Sequence, residues 1–307
     1  MQKLVLIDGS ALLHRAYHAM PGLTNSNGQL INAVYGFFGM FLTILNEQKP
    51  DYLVVAFDRS KPTVRQSMFA GYHEHRPPMA SELSDQVGLI DELLERLKAQ
   101  VVSSEGYEGD DVIGTFAHQA NKEKDLVTFI VTGDRDILQL VNEKTKVIML
   151  ITGMTKTVVF DEALVEEKYG VTPMQFVDYK ALLGDPSDGY PGITGIGPKT
   201  AANLLQKFGT FEELYKRIDE VPEKIALKLA TDAEQGALAK KLATIITDAP
   251  VHLDLTACKV ENLDLVALRE GFAKHNFKSL ISRLDARYPE LANKKAATSN
   301  GQLGLLD

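Results

Sequence analysis

The chain contains no tryptophan and only one cysteine, Cys258. A lone thiol can neither close an intrachain disulfide nor build a thiolate zinc site, so Cys258 reads as a small core residue in a reducing compartment, the cytoplasm. No apolar run approaches the roughly 20 residues that a bilayer crossing needs. The four apolar residues after Met1-Gln2-Lys3 are too few for a secretory signal, and no membrane partner is expected. Positive charge is also scarce. The 41 acids outnumber 33 Lys and Arg and give a net charge of −8, which taken alone argues against a nucleic-acid partner. Its distribution weakens that exclusion: between Arg59 and Ser81 lie Arg59, Lys61, Arg65, Arg76, His73 and His75 against one acid, Glu74. A second basic stretch, Lys199 to Lys228, has acids interleaved and could be a solvated face.

With 307 residues at 45% hydrophobic content there is ample core for one or two domains. The distinctive content is acidic. Leu4-Val5-Leu6-Ile7-Asp8, Leu53-Val54-Val55-Ala56-Phe57-Asp58 and Phe129-Ile130-Val131-Thr132-Gly133-Asp134 each place a carboxylate where a buried parallel strand would end, the edge at which open α/β sheets bind ligands. Glu108, Asp110 and Asp111 crowd the start of one helix, Asp136 follows Asp134, and Asp185 and Asp188 lie in a loop. Each acid singly could be a helix cap. Five such segments together fit better with a crevice of carboxylates that needs hard cations, Mg²⁺ or Mn²⁺, to be tolerable. The histidines show no metal-ligand spacing.

The first half alternates strand and helix. Strands are expected near 3–8, 51–57, 100–103, 127–132 and 146–151, and helices near 30–47, 81–99 and 109–121, which predicts a mainly parallel sheet flanked by helices over 1–171. Residues 59–80, rich in Pro and Gly, read as an exposed excursion. From 172 to 290 helices dominate: one from Pro173 through Leu183, then 199–207, 210–217, 222–231, 233–246 and 265–274. Residues 291–307 read as a flexible tail or linker. Within 184–207, Gly192-Ile193-Thr194-Gly195-Ile196-Gly197-Pro198-Lys199-Thr200 is a glycine-rich turn entering a helix, suited to approach by an anion. It is not a Walker A loop, because Pro198 separates glycine from lysine and no strand precedes it. A hairpin gripping a DNA backbone fits better than a purely structural turn.

Taken in order, Ile7-Asp8-Gly9-Ser10, Val55-Ala56-Phe57-Asp58, Glu108-Gly109-Asp110-Asp111, Thr132-Gly133-Asp134-Arg135-Asp136 and Gly184-Asp185-Pro186-Ser187-Asp188 with the turn after it resemble the 5′-nuclease domain of bacterial DNA polymerase I, in the flap endonuclease family. The resemblance implies that Asp8, Asp58, Glu108, Asp110, Asp111, Asp134, Asp136, Asp185 and Asp188 are metal-binding acids holding two divalent ions, at most three. It also implies that Arg15 contacts substrate phosphate and that 59–80 is an arch for the 5′ single strand, with Tyr72, His73 and Arg76 at its binding positions. Gly195, Gly197, Lys199 and Thr200 match the helix-hairpin-helix element that holds duplex DNA and, in that family, a K⁺ ion. The implied enzyme is a monomeric Mg²⁺-dependent 5′→3′ exonuclease and flap endonuclease of replication and repair, with Asp8, Asp58, Asp110, Asp134, His73 and Arg76 at the reaction centre. Its DNA partner would carry a duplex-to-single-strand junction. The polymerase domain of those enzymes would begin at the tail, or the nuclease is free-standing. Three positions depart from the pattern: His73 stands for a lysine, Gly109 for an alanine and Gly189 for an asparagine. Two other readings remain, a DNA-structure-binding module with a dead site and a metal-dependent ribonuclease on a similar sheet. The first should have lost crevice acids, whereas all nine are present; the second leaves 184–200 without a role.

Overall fold

The computed structural model describes residues 1–25, 28–58, 62–152 and 156–291. Six strands, β1 (Gln2–Asp8), β2 (Tyr52–Ala56), β3 (Gln100–Val102), β4 (Leu126–Thr132), β5 (Thr145–Thr152) and β6 (Lys156–Phe160), form a sheet in the order β3-β2-β1-β4-β5-β6. All neighbours are parallel except β5 and β6. The five strands expected from sequence are present. The sixth was not expected: it lies on the sheet edge with only Phe160 fully buried, and Val158-Val159-Phe160 is an apolar run of only three residues.

The helices of the first region are α1 (Gly9–Ala19), α2 (Asn32–Gln48), α3 (Val64–Met68), α4 (Ser81–Leu97), α5 (Gly109–Ala120) and α6 (Glu162–Tyr169). Strand β1 is buried from Leu4 to Asp8 because helices cover both faces of the sheet, as its unbroken apolar run requires. Leu4 and Leu6 enter a core shared with Val112 and Phe116 of α5, whereas Val5 and Ile7 enter a second core with Phe37 and Phe41 of α2 and Leu94 of α4. Helices α2, α4 and α5 match expectation. Helices α1, α3 and α6 are additions: α3 is only five residues long, and α6 buries only Val165, so neither presents an apolar stripe.

The second region contains α7 (Phe176–Leu183), α8 (Pro198–Phe208), α9 (Phe211–Lys216), α10 (Glu223–Thr231), α11 (Ala233–Ala243), α12 (Leu265–Lys274) and α13 (Lys278–Arg287), with a two-stranded ribbon of β7 (Gly184–Asp185) and β8 (Tyr190–Pro191). Residues Pro173–Gln175 form a 3₁₀ turn before α7 rather than its first turn. Helix α11 stops three residues short of the expected 246, because the following backbone is bonded elsewhere. The Thr244 carbonyl accepts from Arg65, the Ile245 amide donates to Gln139, and the Ile246 amide donates to Asp111. Although the sequence pattern changes at 171/172, α12 and α13 return to pack on α4 and α2 and complete the core of the first region. Of the tail expected over 291–307, all but Leu291 lies outside the described residues, as do Arg59 and Lys61 of the arch.

Candidate metal centre and nucleic-acid face

The sheet order makes β1 the place where the chain switches from one side to the other, which is where a crevice opens beyond the strand C-termini. Asp8 ends β1 in register with Ala56, two residues before Asp58, and Ile7 is in register with Val131, three before Asp134. Helix α5 delivers Glu108 and Asp110 from its first turn. These five acids, with Asp136 and Asp188, line one open crevice of about 760 Å³.

The capping roles expected of single acids are real and coexist with the cluster. Asp8 Oδ1 accepts from the Ala11 amide at 2.8 Å and caps α1, while its Oδ2 accepts from the Thr132 hydroxyl at 2.7 Å. Asp58 Oδ1 accepts from the Gly109 amide at 2.6 Å at the head of α5. A carboxylate offers about four lone-pair sites, so a cap bond holds the group in place and leaves capacity for a cation.

Asp110 is different: no donor among the described residues reaches it. Burial first, and then the charges of Asp134, Asp8, Asp58 and Glu108, push its carboxyl well above the ordinary range. Burial, followed by the charge of Asp58, raises Asp8 to about 7. Asp136 is raised to about 7 mainly by burial, against the pull of Lys180. Anions so placed need cations. Donor oxygens of Asp136, Asp185 and Asp188 lie within 4.8 Å of one another, which makes them a second potential cation set. The donors are all carboxylate oxygens, the chemistry that hard divalent ions prefer, so these residues fit Mg²⁺ or Mn²⁺.

Asp111 does not join the crevice. Almost fully buried, it is bound to Arg65 through both oxygens at 2.8 Å and also accepts from the Ile246 and Glu108 amides, so unlike the other acids expected to bind metal it is engaged with the protein rather than facing the crevice. It positions the head of α5. Two cations that sequence reasoning did not assign to the site act inside it. Arg65 joins Asp111 to Glu108, and Lys180 of α7 lies 2.7 Å from Asp136 Oδ1 and also pairs with Asp185. Lys180 was findable: a lysine between Tyr179 and Ala181-Leu182 on a buried helix needs an acid.

The arch also differs from expectation. Residues 63–76 are largely exposed, as an excursion should be, but they also fold down over the crevice. Thr63 and Gln66 form a capping box for α3, and Arg65 is buried. Tyr72, expected at a strand-binding position, is buried; its hydroxyl donates to Glu108 at 3.1 Å and its ring lies against His73 and Tyr190. His73 and Arg76 both approach Asp188 Oδ1, at 3.3 and 2.6 Å, and the His73 amide donates to the Asp188 carbonyl. This docking explains Gly189. It has a φ of +81°, and a Cβ there would come within 2.7 Å of the Gly71 carbonyl oxygen. An asparagine at 189 would hold the arch away.

Arg15 of α1 donates to the Leu150 carbonyl at 2.8 Å, and its guanidinium lies beside Gly133 at the edge of the acids. The glycine-rich turn sits apart from the arch. Ile193 and Ile196 are buried, while Gly195, Gly197 and Lys199 are exposed and Thr200 is half-buried at the head of α8. Apolar anchors therefore fix a turn whose polar face is open.

The pKa directions carry a test. In the unfolded chain Asp8 and Asp136 ionise near 3.8, whereas in the fold they ionise at about 7. The folded state thus holds more protons through that window, and their contribution to stability falls as pH rises through it. A divalent ion competes with those protons for the same oxygens and binds only the folded arrangement. Mg²⁺ should therefore raise the thermal unfolding midpoint more at about pH 8 than at about pH 5. Equal shifts at both values would mean that the ion does not bind these acids.

Residues 3–170 match the family described as 5′-3′ exonuclease, N-terminal resolvase-like domain, and residues 171–265 match 5′-3′ exonuclease, C-terminal SAM fold. A DNA polymerase I of Caldicellulosiruptor bescii is 40% identical over 284 residues, 92% of this chain and 33% of that protein. The chain therefore spans about a third of the length of such polymerase relatives. A protein named 5′-3′ exonuclease from Aquifex aeolicus is 33% identical over 294 residues, covering 96% of this chain and 99% of that one. The fold is shared with the bacteriophage T5 flap endonuclease solved with DNA and metal ions, at a TM-score of 0.65, 18% identity, and coverage of 95% of this chain and 100% of that one.

Proposed function

The chain belongs to the 5′-3′ exonuclease family, and from that premise we propose that it is a structure-specific 5′ nuclease. It hydrolyses DNA phosphodiesters at the junction of a duplex and a 5′ single strand, as flap endonuclease and 5′→3′ exonuclease, in the primer and flap removal of replication and repair. The observation that carries this reading is Asp110, a half-buried carboxyl beside four other acids and without a donor among the described residues, at the open edge of a parallel sheet. Such a site is built to receive cations and, with them, an anionic substrate.

Asp8, Asp58, Glu108, Asp110 and Asp134 would hold the ions nearest the reaction, and Asp136, Asp185 and Asp188 a neighbouring one. When bound, two such ions neutralise the phosphate, lower the pKa of the attacking water and stabilise the leaving oxygen. The chain's own residues do the rest. Lys180 acts as counter-ion to Asp136 and Asp185, and Arg65 fixes Glu108 through the buried pair with Asp111. Arg76 and His73, now paired with Asp188, can turn to a substrate phosphate once a cation takes their place on that acid. Arg15 lies close enough to Gly133 to contact a strand leaving the acids. Away from the crevice, the exposed Lys199 and the free amides at the head of α8 grip duplex phosphates without reading sequence.

Incubation with a 5′-flapped duplex, with Mg²⁺, with Mn²⁺ and with chelator, tests the proposal. Metal-dependent release of the flap as an oligonucleotide, leaving a 5′-phosphate on the retained duplex, is expected. A duplex left intact under both metals would rule the nuclease reading out.

A further inference from the structure

Tyr190 is 2% exposed, and its hydroxyl is a buried polar group with no hydrogen-bond partner among the described residues. Such a hydroxyl costs free energy that a phenylalanine of the same shape would not, so the oxygen calls for an acceptor. Its surroundings offer one. Tyr190 lies in β8 directly opposite Asp185 of β7, so the two side chains project from the same face of the ribbon, and Asp188 is two residues earlier in the chain. The ring is fixed on its other sides: it stacks on Tyr72 with centroids 6.4 Å apart and planes 19° from parallel, and it packs with Ala239, Leu242 and Ala243 of α11. That packing keeps the hydroxyl away from water. Burial, and then the charges of Asp136, Asp185, Asp188 and Asp134, push its ionisation upward, so the oxygen keeps its proton and remains a donor. The first three of those acids are the set whose oxygens lie within 4.8 Å of one another.

We propose that Tyr190 is a positioning residue of the second cation set: its hydroxyl donates to the Asp136 carboxylate when that group turns from Lys180 to a divalent ion, and holds it in the coordinating orientation. The inference rests on the reading of Asp136, Asp185 and Asp188 as a cation set. In the structure the charges of these acids are met by other groups, Lys180 on Asp136 and Asp185, and Arg76 with His73 on Asp188, which leaves the hydroxyl without an acceptor. Asp136 is the acceptor assigned to it because, of the four acids, its charge weighs most on the hydroxyl. The stacked partner already shows the arrangement, since the Tyr72 hydroxyl donates to Glu108 of the first set at 3.1 Å. Hydrogen bonds from neighbouring groups orient ligating carboxylates, and losing one weakens metal binding by about 10–100-fold.

Titration of the whole chain with Mn²⁺, followed by the paramagnetic signal of the free ion, tests this with Tyr190→Phe, which keeps the ring and removes only the hydroxyl. The parent should take up at least two ions, and Asp185→Asn, run alongside, marks which of them belongs to this set. Tyr190→Phe should weaken that ion about tenfold and leave the tighter one unchanged. Without metal, the phenylalanine variant should unfold at a midpoint no lower than the parent's, because the hydroxyl it lacks has no partner there. Unchanged affinity for both ions, or a lowered midpoint in the metal-free protein, would overturn the inference while leaving the metal centre in place. A parent that binds a single ion, or none, would remove the second set and the inference with it.

Discussion

Replacing Asp110 by asparagine should lower single-turnover cleavage of a 5′ flap by about three orders of magnitude or more, since losing about 4 kcal/mol of transition-state stabilisation costs that much. The substitution keeps the shape of the side chain and removes one charge. Every influence resolved on Asp110 works against its ionised form, burial first and then Asp134, Asp8, Asp58 and Glu108. Without divalent ions the asparagine protein should therefore be at least as stable as the parent, and should bind flapped DNA as well or better because one repulsive charge is gone. Loss of turnover together with retained folding and binding would locate the effect in cation holding. Near-parental turnover of Asp110→Asn in Mg²⁺ would remove Asp110 from the metal centre.

Much of this arrangement was legible in the sequence because the sheet is parallel and buried on both sides. Runs such as Leu4-Val5-Leu6-Ile7 can only be strands buried on both faces, and because those strands run parallel the acid after each run lies at the same edge. What the sequence could not reveal was which acids face the crevice. Glu108, Asp110 and Asp111 are nearly contiguous, yet the helix rotates Asp111 inward toward Arg65, 46 residues earlier in the chain. That pairing depends on the arch folding down, and nothing local to residues 63–76 signals it except a capping box. Long-range ion pairs of this kind, Arg65 with Asp111 and Lys180 with Asp136, carry no periodicity. They become visible only as charged residues embedded in otherwise buried segments. The edge strand β6 was missed for the opposite reason, having too little buried surface to mark it.

Arg65 is where the largest loss of stability is expected. The residue is 4% exposed, and its guanidinium makes two bonds to Asp111 at 2.8 Å, reaches Glu108 at 3.1 Å, and donates to the Leu242 and Thr244 carbonyls at 2.8 Å. It therefore ties the arch, the head of α5 and the end of α11 into one node. Burial works against the charge, but the hydrogen bonds and charge of Asp111 outweigh it and push the guanidinium pKa upward. Removing one partner of such a pair leaves the other as an uncompensated interior charge, so Arg65→Ala should cost about 3–5 kcal/mol of unfolding free energy. Combining Arg65→Met with Asp111→Asn removes both charges and keeps an acceptor for one of the two amides that Asp111 serves, the Ile246 and Glu108 N–H groups. The double variant should recover a large part of the loss. Urea unfolding of the parent, Arg65→Ala and the double variant provides the comparison. A cost below about 1 kcal/mol for Arg65→Ala would place the pair among solvent-screened contacts and end its role as the clamp of the arch.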